Sequence, residues 1–150
     1  MRVIGAFLLA AWLALPLTIV YAQDEQTLLW SQRYQSEYAS PEMLYRDPVA
    51  VSQVIWDAFE REGWPISYGA AMRLAVCESS LNPQAVGAAG EVGLYQFLNG
   101  TWGWASVLAG FEGRSRSDPV ANASVAAWLM AHPEHGGAQH WARFGCGWSL

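Results

Sequence analysis

The sequence predicts a mainly α-helical domain with one small glycine-rich hairpin or loop among its helices. Three observations carry this. Apolar residues recur at helical spacing, as in Val51, Val54, Ile55, Ala58 and Phe59. Two helix starts are written as Asp followed by Pro, at Asp47-Pro48 and Asp118-Pro119. Glycines stand where helices must stop, at Gly63 and Gly110. They also fill Gly87 to Gly93, a stretch too small and flexible for a helix.

The elements follow in order. Residues 1–22 read as a secretory signal: Arg2, an apolar run from Val3 to Leu15, Pro16, and a cleavage site at Val20-Tyr21-Ala22. A retained membrane anchor is the alternative, since the apolar stretch nears spanning length. Residues 23–47 are polar and aperiodic, a linker or loosely docked arm. The domain proper is 48–150. Its first helix covers 49–61, with Asp47 as N-cap and Pro48 behind it. The second runs from Ser67, its cap, to Ser79. Met72, Leu74, Ala75 and Val76 leave it little polar surface, so it is expected to be the central helix. Asn82-Pro83 is expected to break it. A third helix starts at Asn99 or Thr101 and ends at Gly110. A fourth runs from Asp118-Pro119 through Ala131, and His132-Pro133 ends it. Residues 133–150 are expected to pack through Trp141, Phe144 and Trp148.

Composition narrows the function. A chain of 150 residues allows one domain. It carries eight basic residues, all Arg, against thirteen acidic ones, for a net charge of -5. Phosphate contacts need many cations, so nucleic acid and anionic lipid are poor partners. A polymeric ligand must instead be held by hydrogen bonds and aromatic faces, and nine Trp and six Tyr supply the latter. The chain is expected to act as a monomer. Its two cysteines, Cys77 and Cys146, pair in an oxidising compartment.

Cys77 to Trp102 is the stretch with chemistry in it. Glu78 sits near the end of the second helix, where the helix dipole is negative. The dipole and partial burial both discourage ionisation, which suits a general acid. Elsewhere the residues argue against special chemistry. His132, Glu134, His135 and His140 cluster, but their spacing fits no familiar zinc site. Gly87-x-x-Gly90-x-x-Gly93 is no phosphate loop, since no Lys follows and no strand precedes it. Neither a metal nor a cofactor is expected.

The series Glu78-Ser79, Asn82-Pro83, Ala85-Val86, Gly93-Leu94-Tyr95-Gln96-Phe97 and Thr101-Trp102 resembles the soluble lytic transglycosylase domain of the lysozyme-like superfamily. The likeness extends over about residues 48–148 and includes Asp118-Pro119 and Asn122. It implies a lysozyme-like α+β domain with a cleft for the glycan strands of peptidoglycan. It also implies cleavage of the β-1,4 bond between N-acetylmuramic acid and N-acetylglucosamine, with Glu78 as the single acid and base. The site residues it implies are Ser79 beside the acid, Tyr95 stacked on a sugar, Gln96 on an acetamido group, and Asn122 near the glycan. Trp102 joins them as a substrate-binding residue.

The resemblance is not complete. Many members carry a late Ala-Tyr-Asn segment, whereas this chain reads Gly137-Ala138-Gln139-His140-Trp141 and has no Tyr after Tyr95. Two alternatives therefore stay open. One is a lysozyme-type hydrolase, with Glu91 or no residue as second carboxylate. The other is a non-catalytic peptidoglycan-binding or assembly protein. A secreted, periplasmic or cell-wall location is expected under each of them.

Overall fold

Capping chemistry sets the helix boundaries. The structure is a computed structural model that describes residues 45–142 and Cys146. The expected signal at 1–22 and nearly all of the arm at 23–47 lie outside the described residues, as do Phe144 and Trp148. Helix α1 spans Pro48–Arg61, α2 Tyr68–Ser79, α3 Asn99–Leu108 and α4 Pro119–Ala131. A 3₁₀ turn at Pro133–His135 and a short α5 at Gln139–Ala142 follow. The Asp47 carboxylate accepts from Val49 N–H at 2.9 Å, and Ser67 Oγ accepts from Ala70 N–H at 3.3 Å. Asp118 Oδ1 accepts from both Val120 and Ala121 N–H, at 3.0 and 3.2 Å. Each fills amides that have no partner inside their own helix.

Helices α1 and α3 stop in the same way. Gly63 and Gly110 have φ of 71° and 80°. After α1, Gly63 N–H reaches Glu60 O at 3.0 Å and Trp64 N–H reaches Phe59 O at 2.9 Å. After α3, Gly110 N–H reaches Val107 O at 3.1 Å and Phe111 N–H reaches Ser106 O at 2.7 Å. Both are Schellman closures, which need the left-handed φ that glycine reaches freely. Helix α2 ends differently. Ser80 and Leu81 are both left-handed, at φ 54° and 61°. The helix thus stops right after Ser79, before the expected break at Asn82-Pro83. Each such non-glycine residue costs about 1 kcal/mol. Asn82 instead shapes the next turn, its Oδ1 accepting from Gln84 N–H at 2.9 Å.

The central helix is α4, not α2. Every residue of α4 is buried except Trp128 and Ala131. Val76 of α2, by contrast, is 49% exposed. A helix that is apolar or small all round goes to the middle, and Ala121, Ala123, Ala126 and Ala127 let neighbours approach closely. Helix α1 packs against α4 and α2 through Val51, Val54, Ile55, Ala58 and Phe59, all buried. Burying each large side chain among them contributes about 1.5–3 kcal/mol.

Between α2 and α3 the chain folds a loop rather than a sheet. Isolated antiparallel bridges join Val86 to Val92 and Val92 to Phe97. No strand longer than these occurs among the described residues. No helix among them is long and apolar enough to cross a membrane.

Cys77 and Cys146 form a disulfide, with Cα atoms 5.7 Å apart and a separation of 69 in sequence. It ties the last turn of α2 to the far end of the chain. Closing a loop of that length stabilises the fold by about 4 kcal/mol in the chain-entropy account. Reduction is expected to lower the melting temperature by more than about 10 °C, as calorimetry with and without a phosphine reductant would show.

Candidate active site

Glu78 is the second-last residue of α2, directly after the disulfide cysteine. Its side chain is half-buried at the edge of a cleft of about 440 Å³. Carboxylate Oε1 is fully buried and receives no hydrogen bond from the protein. A buried carboxylate without donors gains nothing from being ionised. Burial first, and the charge of Glu91 second, push its pKa up from 4.5 to about 6. The expectation of an acid set against ionisation is therefore met, with burial as the main cause.

The cleft has two walls. One is the loop, through Gly87, Ala88, Glu91, Gln96 and Phe97, continued by Leu98 and Thr101 at the start of α3. The other is the segment after the 3₁₀ turn, through Gly136, Gln139, His140 and Trp141. Glu91 projects from the loop into the same space as Glu78. Its Oε2 accepts from Ala89 N–H at 3.0 Å, which fixes the carboxylate. Gly87 lies directly beneath it, and a Cβ there would collide with Glu91 Oε2 and Gln96 Oε1. That glycine is what lets the two polar side chains sit against the loop.

The other residues expected at the site fall differently. Gln96 lines the cleft, but its Nε2 donates to Gly93 O at 2.8 Å and Ala85 O at 3.2 Å. Its amide donor thus braces the loop, and its backbone is left-handed at φ 49°. Tyr95 is not a stacking face. It lines the cleft, but its ring is fully buried, and its hydroxyl donates to Ala71 O at 3.2 Å. Ser79 does not reach towards the acid. Its hydroxyl sits between Leu94 O at 2.9 Å and Ala75 O at 3.0 Å, joining α2 to the loop. Trp102 is also buried, its Nε1 donating to Arg114 O at 3.1 Å and its ring 5.3 Å from Phe97.

Asn122 is fully buried too. Its Oδ1 accepts from Tyr95 N–H at 2.9 Å. Its Nδ2 donates to Arg116 O at 2.6 Å and Val92 O at 3.2 Å. One side chain of the central helix therefore holds both the loop and the segment before α4. Ser79, Trp102 and Asn122 position the wall rather than form its surface, while Tyr95 lines the cleft as a fully buried residue. In each case a polar side chain finds a backbone partner that only the fold supplies.

Two residues carry more than their sequence context signals. Trp141, expected only to pack, is buried against Tyr95 and Phe97, with ring centroids 6.2 and 5.7 Å away. Its Nε1 also donates to Tyr95 O at 2.9 Å, joining the two walls. Arg116 reaches under the loop, and its Nη1 donates to Phe97 O at 2.8 Å and Gly90 O at 2.9 Å. No local pattern marks either role, because both partners are distant in sequence.

A helical domain with one half-buried glutamate at a helix end, facing a glycine-bearing loop across a cleft, has the layout of a lysozyme-like domain. The transglycosylase SLT domain matches residues 59–144, more than half of the chain, and the chain belongs to that family. Comparison with curated proteins and with solved structures finds no match.

Proposed function

We propose that this protein is an exported peptidoglycan lytic transglycosylase. In this reading it cleaves the β-1,4 bond between N-acetylmuramic acid and N-acetylglucosamine and leaves a 1,6-anhydro end. The observation that carries the reading is the Glu78 carboxyl, with one oxygen buried and unbonded at the cleft edge. With a pKa of about 6 it holds a proton through the mildly acidic range. Protonated Glu78 gives that proton to the glycosidic oxygen as the bond to the muramoyl C1 breaks. The resulting carboxylate then takes the proton of the muramoyl 6-hydroxyl, whose oxygen closes on C1. Glu78 ends protonated again, and no water is consumed. Membership of the transglycosylase SLT family supports peptidoglycan as substrate and a location outside the cytoplasm.

Purified peptidoglycan digested by the protein and analysed by mass spectrometry tests this. Anhydromuramic ends are expected. Reducing-end muramic acid alone would overturn the assignment.

One observation favours a second reading, hydrolysis: Glu91 shares the cleft and its charge acts on Glu78. A hydrolase needs that second carboxylate as base or nucleophile. Under the transglycosylase reading, Glu91→Gln is expected to keep activity within about tenfold, since it removes an electrostatic influence and no reacting group. A loss of about 10³-fold or more would move the protein to the hydrolases.

A further inference from the structure

Aromatic rings continue from the cleft wall. Leu98 and Thr101 open α3 and line the cleft. Residues three apart on a helix share a face, so Trp104 stands one turn beyond Thr101. Its side chain is 37% exposed. The indole is held by two histidine rings, His135 at 5.9 Å and His140 at 6.1 Å between centroids. His140 lines the cleft itself, and its Nε2 is hydrogen-bonded to His135 O at 3.0 Å, which fixes the ring. Trp128 stacks on His135 from behind at 5.3 Å. A run of rings, Trp141, His140 and Trp104, therefore leads from the cleft wall to the open surface.

We propose that Trp104 is a stacking face for a further sugar of the glycan strand, beyond the sugars that flank Glu78. This rests on the glycan reading of the cleft. A pyranose offers an apolar C–H face and a polar rim, which matches a partly exposed indole. The chain has no Lys and a charge of -5, so its hold on a long strand falls to neutral contacts of this kind. Trp104 is already braced by its neighbours, so little side-chain freedom is lost on binding. Val107 and Leu108 are also exposed on α3, but nothing links them to the cleft wall.

The test uses Glu78→Gln protein, which binds without cleaving, and β-1,4-linked N-acetylglucosamine oligosaccharides of increasing length. Calorimetry reads the affinity of each. Adding Trp104→Ala is expected to weaken the longest oligosaccharides by about tenfold and to leave the shortest unchanged. Trp104→Tyr should restore most of the loss. Equal binding of long oligosaccharides with and without Trp104 would overturn the proposal, as would an equal loss at every length. Failure of the Glu78→Gln protein to bind any oligosaccharide would instead overturn the glycan reading of the cleft, and the platform with it.

Discussion

Glu78→Gln is expected to lower cleavage of peptidoglycan by about 10³-fold, the usual scale for losing a positioned general acid. The amide fills the same space but has no proton to give at the glycosidic oxygen. Wild-type kcat/KM should fall as pH rises through about 6, because the protonated carboxyl is the active form. Retained cleavage by the variant, or a flat profile across that range, would remove Glu78 from the chemistry. The substitution should raise stability even as it removes activity. The carboxyl has a pKa of about 6 in the fold against 4.5 when free, so the folded state binds its proton more tightly. Stability from this group is present below pH 4.5 and is lost as pH rises towards 6. Above that range the wild type carries a half-buried charge that the neutral amide of the variant lacks. The variant should then be more stable by about 1 kcal/mol, a value reduced for the partial exposure of the group. The two melting curves should converge in acid. An inactive variant that is also more stable is the signature of a residue kept for its reaction.

Gly93→Ala is expected to be the most damaging single substitution in the loop. Gly93 has φ of 92°, and a Cβ there would collide with Arg116 O and Asn122 Nδ2. The first obstacle is backbone and the second is a side chain already bonded on both of its ends, so neither yields cheaply. A loss of about 3 kcal/mol or more, or roughly 10 °C in melting temperature, should follow. Asn122→Ala should cost about as much by a different route. It strands the Tyr95 N–H and two carbonyls, and each buried orphan costs about 1–3 kcal/mol. Together the two changes should cost clearly less than their sum, since removing the Asn122 amide clears half of the collision. Strict additivity in a double-mutant cycle would mean that the loop is not held through this contact.

The helices are legible in the sequence because their signals are local. Asp47-Pro48, Ser67, Asp118-Pro119, Gly63 and Gly110 each act within four residues of themselves, and each acts as expected. The raised pKa of Glu78 is legible because an acid at the end of an apolar helix is expected to be partly buried. The roles of Ser79, Tyr95, Trp102 and Asn122 are not legible. A polar group suited to a sugar is equally suited to a buried carbonyl, and the choice is made by side-chain hydrogen bonds to partners up to 30 residues away. The centrality of α4 is visible in principle. Its Pro119–Ala131 sequence has no charged residue, yet the bulkier residues of α2 draw the eye there first. The second cleft wall, from Gly136 to Trp141, is legible only as a segment that packs through Trp141. Short turns and glycines place it, and the hydrogen bond from Trp141 Nε1 to Tyr95 O joins it to the loop.

The Cys77–Cys146 link makes residues 77 to 146 a covalent ring, and every residue that borders the cleft lies inside it. A protease that nicks one exposed turn, such as the stretch around Gly113, therefore severs the chain without releasing a fragment. Both pieces stay fastened beside Glu78. On a denaturing gel such a clipped molecule should run as a single band until thiol is added, then separate into two.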